Sequence, residues 1–355
     1  MHEPTFIERD VLAALKGQPL RENQFNSLAL DVFRYQFNRN PAYQNFCKAS
    51  EIQPDKISQW QDIPAVPTDT FKHSEYPLAT FPVENTLKTF LTSGTTSELK
   101  GHHHFPSTRL YDQSIISVWR ELDLPQLQNQ HTIFLTPSPE QAPESSLSHM
   151  MGVLANSLTE KPTWAVNDSG QLEIDTITRA ASFDLPVAFI GTALAFLHLF
   201  ESIETPLSLP PGSWAMETGG YKGTKRHLKK QDLYQLFHEK LKLAPDSVIN
   251  EYSMTELSSQ FYSRGLNQAH SGPSWTRVRV IDPITNQESQ AGQAGHLVIY
   301  DLANLHSAMA IRTQDIATRS EADLAQGNNS FTLLGRDPSA LPRGCSRATD
   351  HNLQP

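Results

Sequence analysis

Apolar positions near the start of the chain recur at helical spacing. Phe25, Leu28, Leu30, Phe33 and Phe37 fall close to a 3.6-residue period across Asn23–Phe37, and Asn40-Pro41 ends the run. The first 75 residues read as mostly helical on this basis. Ile63–Phe71 holds two prolines and no period, which predicts an extended connector. From residue 86 onward short apolar runs alternate with helical patterns. The predicted strands are Thr86–Leu91, His131–Thr136, Pro186–Ile190, Ser213–Glu217 and Ser247–Glu251, and the predicted helices Ser107–Leu122, Ser145–Leu158, Thr192–Ile203 and Lys225–Leu243. That alternation predicts an α/β fold with helices packed on a sheet. After Ser271 the texture becomes β-rich, with Trp275–Ile281 and His296–Tyr300 separated by the turn material Asp282-Pro283 and Gln293-Ala294-Gly295.

Composition narrows the function classes. The 355 residues exceed what one small core holds, so one large domain with sub-lobes or two domains is expected. Lys plus Arg total 29 against 38 Asp plus Glu, and the net charge of -9 argues against broad electrostatic binding of nucleic acid or acidic membrane. No nucleic-acid motif is present in the sequence. No apolar run approaches the roughly 18–20 residues of a membrane span, and Met1–Asp10 lacks a signal-peptide core, so a cytoplasmic enzyme is expected. The two cysteines, Cys47 and Cys345, are too few for a disulfide scaffold or a cysteine-based zinc site.

The most informative segment is Thr92-Ser93-Gly94-Thr95-Thr96-Ser97-Glu98-Leu99-Lys100-Gly101, directly after the apolar stretch Lys88–Leu91. Hydroxyl side chains and close-approaching backbone N–H groups around a glycine form a cradle for phosphate oxygens, and Lys100 adds a mobile positive charge. The spacing is not that of a Walker A loop. Taken alone, the segment reads equally as a phosphate cradle or as a hydroxyl-rich surface turn. His102-His103-His104 follows it; consecutive histidines alternate faces in a strand and chelate poorly, which favours a solvated loop.

Residues 92–101 resemble the phosphate-loop signature of adenylate-forming enzymes, commonly written TSGTTGxPKG, with Ser97 and Leu99 in place of its Gly and Pro. Three further segments resemble later signatures of that superfamily in the same order. Met216-Glu217-Thr218-Gly219-Gly220 is similar to the glycine pair lining the adenine pocket. Glu251-Tyr252-Ser253-Met254-Thr255-Glu256 resembles the Tyr-Gly-x-Thr-Glu motif, with Ser253 replacing Gly. Arg312-Thr313-Gln314-Asp315 is similar to Thr-Gly-Asp, with Gln314 replacing Gly, and Gly335-Arg336-Asp337 to the hinge motif. Within the superfamily the chain most resembles the LuxE-like acyl-protein synthetases, through Val66-Pro67-Thr68-Asp69-Thr70-Phe71-Lys72, Thr218-Gly219-Gly220-Tyr221-Lys222 and Arg343-Gly344-Cys345-Ser346. The resemblance covers roughly residues 60 to 346.

It implies the large N-terminal lobe of an adenylate-forming enzyme: layered αβ sub-lobes plus a smaller β-rich region, without the usual C-terminal lid domain. The expected division is one domain over 1–345, with a helical start 1–75, an α/β core 76–270 and a β-rich region 271–345, then a flexible tail 346–355. The implied reaction uses ATP and Mg2+ to activate a carboxylic acid, a fatty acid in that family, as the acyl-adenylate, and then passes the acyl group to a thiol. By the resemblance, Thr92, Ser93, Gly94, Thr95, Thr96 and Lys100 bind phosphates, Glu256 binds Mg2+ and Thr255 the α-phosphate. Gly219, Gly220 and Tyr252 hold adenine, Asp315 accepts from the ribose hydroxyls, and Arg336 reaches ribose or phosphate. Cys345 is the acyl carrier, with Arg343 beside it to favour the thiolate. His149, Gly191 and Thr192 are placed at the acyl pocket, followed by Ala193, Leu194 and Phe196.

Each residue also has a plainer reading. Tyr252 reads as core, Glu256 as a solvated charge, Asp315 as a helix cap, and Cys345 as an inert tail cysteine; Cys47 reads as core. Two other functions stay open on the residues: activation of an aryl or short-chain acid for coenzyme A or a carrier protein, and a nucleotide- or acyl-binding subunit of a partner such as a reductase. No Gly-x-Ser-x-Gly elbow supports a hydrolase.

Overall fold

The computed structural model describes residues 5–73, 75–92, 99–219, 228–325 and 329–337. Among them one twelve-stranded mixed sheet organises the chain. Its parallel part runs, in spatial order, Lys161–Trp164, His131–Leu135, Val187–Thr192, Trp214–Thr218 and Val248–Tyr252. The four strands inside the edge strand Lys161–Trp164 are short and largely buried, as strands covered on both faces must be. The sheet then turns antiparallel through Phe261–Arg264, His270–Ser271, Ser330–Arg336, Ala310–Thr318, Gly295–Asp301 and Thr276–Ile281. A mixed α/β fold with a β-rich second part is what the patterning predicts. No described helix is long and apolar enough to cross a membrane.

Alternation along the parallel strands separates two cores. Ile190, Met216 and Ile249 share one apolar cluster with Ile115 and Val118 of helix Arg109–Glu121 and with Met150 and Met151 of helix Ser146–Ser157. Phe189, Ala215 and Val248 face the other way, into a cluster with Phe196 and Phe200 of helix Ala193–Ser202 and Phe237 of helix Lys230–Leu241. Each fully buried apolar side chain contributes about 1.5–3 kcal/mol. Register carries the same division to the strand ends, so Thr218, Glu251 and Tyr262 lie on the first face while Glu217, Asn250 and Ser263 lie on the second.

The helical start comprises Phe6–Lys16, Glu22–Arg39 and Pro41–Ala49. Asn40 ends the second helix, and its Oδ1 accepts from the Tyr43 N–H to begin the third, with Pro41 at the first position where no N–H is needed. Trp60 packs edge-on against Tyr300, ring centroids 4.8 Å apart, and donates from Nε1 to Glu22 (2.6 Å). The helices are thereby fastened to the β-rich part. Cys47 is buried among them, and burial pushes its thiol up to about 11.

Three expectations are corrected. Ile63–Phe71 is not simply an extended connector: Val66–Pro67 pairs in parallel with Ile311–Arg312, and Thr68–Lys72 forms a 3₁₀ turn. Proline permits this because the pair sits at a sheet edge, where its missing N–H costs no ladder bond. His102–Phe105 is not a solvated loop but a strand antiparallel to Lys88–Leu91. His103 and Phe105 point inward, and a neutral imidazole with a hydrogen-bond partner is buried at little cost. The strand Ala310–Thr318 likewise replaces the helix-cap reading of Asp315.

Candidate active site

The site is built from loops at the ends of the central strands, where an α/β sheet ordinarily binds its ligands. The hydroxyl-rich segment leaves strand Lys88–Leu91 and returns in strand His102–Phe105. Its neck is closed by two bonds, Thr92 N–H to the Gly101 carbonyl (2.9 Å) and Gly101 N–H to Thr92 Oγ1 (2.6 Å). Lys100 is exposed beside that neck. Ser93, Gly94, Thr95, Thr96, Gly220, Arg343 and Cys345 lie outside the described residues, so only the frame around the phosphate loop is visible.

Across from this hairpin lies the turn after strand Val248–Tyr252, which carries Thr255 and Glu256. Three attachments fix it. His103 Nδ1–H donates to the Thr255 carbonyl (2.7 Å), Ser146 Oγ lies 3.3 Å from Thr255 Oγ1, and Asn304 Nδ2 donates to the Glu256 carbonyl (2.8 Å). Burial holds His103 at about 4, so the ring is neutral and Nδ1 carries its proton. Just beyond, buried Asp301 accepts from Ser258 N–H (2.9 Å), Ser259 Oγ (2.7 Å) and Ala303 N–H (3.0 Å). Its pKa still rises to about 6, because burial outweighs those bonds.

The end at which the resemblance expects a nucleotide is equally specified. Tyr252 packs edge-on against Phe331 (5.3 Å), and its hydroxyl donates to Asp315 Oδ2 (2.8 Å). Gly219 takes φ +74°, and among the described residues no atom lies within 4 Å of where a Cβ would stand. Asp315 and Arg336 are register partners on adjacent strands. Gln314, where the resembling motif has glycine, bridges them to the helical part: Nε2 donates to Asp69 Oδ2 (2.8 Å), Oε1 accepts from Arg336, and Asp69 also pairs with Lys72 (2.8 Å).

Sequence reading missed the carboxyl groups beneath the glycine pair. Glu251 accepts from the Thr218 hydroxyl, and burial pushes its pKa up to about 7 despite that bond. On the opposite face Glu217 also reaches about 7 through burial, despite the opposing charge of Lys230 and a 2.7 Å bond from Asn250. His270 donates to Asn250 Oδ1 (2.7 Å) and is held at about 3 by burial. The only local signal for this cluster is the run of polar residues ending two apolar strands.

His149 sits where its helix meets the hairpin, its ring 5.1 Å from Phe90, and Nε2 binds Asp112 Oδ1 (2.6 Å). Gly191 and Thr192 end the neighbouring strand; a Cβ on Gly191 would come within 2.7 Å of the Leu135 Cβ, and Thr192 Oγ1 caps the next helix by accepting from Ala195 N–H (3.0 Å). Both therefore have packing and capping roles, and Phe196 belongs to the second core.

The residues suit the groups the fold implies. A single carboxylate, Glu256, suits Mg2+, which binds through one or two carboxylates plus substrate phosphates. Tyr252, whose ring is flat, and Asp315, a carboxylate able to accept from two hydroxyls, suit a nucleoside.

Comparison with known proteins bears on the family and the fold. The family described as acyl-protein synthetase, LuxE, matches residues 13–123 and 178–354. No curated protein matches by sequence. Among solved structures, 2-hydroxyisobutyryl-CoA ligase in the postadenylation state with 2-HIB-AMP superposes with a TM-score of 0.68 at 15% identity, covering 96% of this chain and 74% of that one. The same ligase in an open conformation with 2-HIB-AMP and CoA gives 0.65 at 15% identity over 91% and 72%. ATP-bound MatB from Rhodopseudomonas palustris gives 0.52 at 12% identity over 84% and 58%. At these identities the likeness is one of fold, that of the adenylate-forming ligases.

Proposed function

The chain belongs to the LuxE acyl-protein synthetase family, and from that premise we propose that it activates a carboxylic acid with ATP and transfers the acyl group to a thiol. A carboxylate oxygen of the acid attacks the α-phosphorus, pyrophosphate leaves, and the acyl-adenylate is then attacked by sulfur with loss of AMP. The observation that carries this reading is the convergence of three distant segments on Thr255: the phosphate-loop hairpin through His103, helix Ser146–Ser157 through Ser146, and the motif turn itself.

Positioning and charge neutralisation do most of the work in such a reaction. Tyr252 and Gly219 hold adenine, and Asp315, steadied by the Tyr252 hydroxyl, accepts from ribose. Thr92, Ser93, Gly94, Thr95, Thr96 and Lys100 embrace the leaving phosphates, and Thr255 contacts the α-phosphate. Glu256 holds Mg2+, which when bound neutralises phosphate charge. Arg336, oriented by Gln314, reaches ribose or phosphate. Cys345 is the acyl-accepting thiol of this reading, in the chain or en route to a partner protein.

A second reading has one observation in its favour. The strand ends next to Gly219 and Tyr252 carry the polar residues Thr218, Glu251 and Tyr262 on one face, and among the described residues the Tyr262 hydroxyl has no hydrogen-bond partner. Such a polar floor suits a short or substituted acid, with coenzyme A as acceptor, better than a long alkyl chain.

ATP–pyrophosphate exchange with Mg2+, screened over fatty, short-chain, hydroxylated and aryl acids, tests both. Exchange dependent on one acid class establishes adenylation and names the substrate. In Cys345→Ala exchange persists while labelled acyl group no longer stays on the chain. Acyl-CoA formed at a rate independent of Cys345 selects the second reading. Nucleotide binding without exchange for any acid removes both, leaving a binding subunit.

A further inference from the structure

We propose that His149, oriented by Asp112, is the base that removes the proton from the acyl-accepting thiol; the inference rests on the adenylation reading and deepens its second half. Asp112, four residues into helix Arg109–Glu121, accepts on both oxygens. Oδ1 takes the His149 Nε2–H at 2.6 Å and Oδ2 takes the Thr108 hydroxyl at 2.9 Å. A carboxylate only accepts, so Nε2 carries the proton of the neutral ring and Nδ1 holds the free lone pair. The imidazole plane is set by Tyr111, stacked at 5.5 Å and 16°, and by Phe90 at 5.1 Å. Tyr111 is in turn fastened by its hydroxyl to the Ser146 carbonyl (3.1 Å).

This fixed ring stands among the motif segments. Phe90 lies two residues before Thr92 at the neck of the phosphate loop, and Leu91 N–H bonds the Glu144 carbonyl (3.0 Å) just ahead of the His149 helix. Ser146, one turn before His149, touches Thr255. Among the described residues no group hydrogen-bonds Nδ1. The His149 side chain keeps 20% of its surface exposed, enough for a thiol to approach. Thr108 donates to Asp112 rather than to His149, so the trio does not activate a hydroxyl nucleophile; it presents one basic nitrogen.

A thiol with a pKa of about 8.5 is mostly protonated at neutral pH, and only the thiolate is nucleophilic. In the proposed step Nδ1 takes the S–H proton, sulfur bonds to the acyl carbonyl carbon, and the bond from that carbon to the phosphate oxygen breaks. The products are thioester, AMP and imidazolium paired with Asp112. Asp112 is a positioning residue: it selects the tautomer and stabilises the imidazolium, as the buried aspartate of a Ser-His-Asp triad does.

The test separates the half-reactions in the full-length protein. Pyrophosphate exchange reads adenylation, and single-turnover transfer of labelled acyl group, to the chain and to added coenzyme A, reads the second step. His149→Ala is expected to lose about 10²–10⁴-fold in transfer, the usual contribution of a general base, and at least 30-fold more than it loses in exchange. Added imidazole restores part of the transfer. Asp112→Asn, close to isosteric, loses transfer in the same direction. With small thiols of unequal acidity, trifluoroethanethiol and ethanethiol, both deficits shrink for the more acidic one, because it needs no base. Transfer and exchange falling by equal factors, no loss of transfer, or deficits that ignore thiol acidity would each overturn the proposal. Absence of exchange in the unaltered protein overturns the adenylation reading and this step with it.

Discussion

Glu251 shows how much one buried group can govern. It stands between Asn250 and Tyr252, inside the motif but not one of its recognised positions, and burial raises its pKa from 4.5 to about 7. Between those values the folded protein keeps a proton that the unfolded chain has released. The stability contributed by this group is therefore full below about 4.5 and is lost as pH rises through about 7. Glu251→Gln retains the acceptor for Thr218 and cannot ionise. Denaturation midpoints should shift in favour of the variant as pH is raised from 5 to 8; a pH-independent difference would remove the assignment. Gln314 teaches a related lesson, because a residue that looks like a lost glycine ties Asp69 to Arg336.

At the scale of elements, the hairpin that frames residues 92–101 is docked onto the Thr255 turn through an imidazole. His103 bonds the Thr255 carbonyl and packs on Phe71 (5.4 Å) and Phe105 (4.2 Å). His103→Leu keeps apolar bulk and removes the hydrogen bond to the Thr255 carbonyl, which costs about 0.5–1.5 kcal/mol. Because the bond joins the two segments proposed to bind phosphate, the KM for ATP in the exchange assay should rise as well as the unfolding midpoint fall. Its folded pKa of about 4 lies below the ordinary 6.5, so the stability it contributes is present above 6.5 and is lost as pH falls towards 4. That trend is opposite in sign to the one set by Glu251. The helix pair Arg109–Glu121 and Ser146–Ser157 is the other working element, since it carries Asp112 and His149 on facing turns.

For the whole molecule, the helical start and the β-rich part act as one support. Gln36, fully buried, donates to the carbonyls of Asn304 (2.9 Å) and Leu305 (3.0 Å) and accepts from Met309 N–H (3.0 Å). The same loop holds Glu256 through Asn304. Gln36→Leu strands three backbone groups at about 1–3 kcal/mol each before relaxation, so a loss of several kcal/mol is expected in chemical denaturation. Surviving variant protein should also show weaker Mg2+ dependence of exchange, because the turn bearing Glu256 loses its backing. Unchanged stability would mean that the loop is held from elsewhere.

The alternation of apolar runs and helical periods, together with the order of the motifs, was sufficient to place the α/β layering and the family. Those are local signals: spacing along the chain records which face of an element is apolar and where a loop needs hydroxyl or glycine residues. The tertiary structure alone decided which distant groups meet. His103 finds Thr255 across 152 residues, Asp112 finds His149 across 37, and Gln314 finds Asp69 across 245. No periodicity encodes such pairs, because each depends on register and packing between elements. The histidine strand was illegible for the same reason: a polar run becomes a buried strand only where a carbonyl from another segment satisfies it.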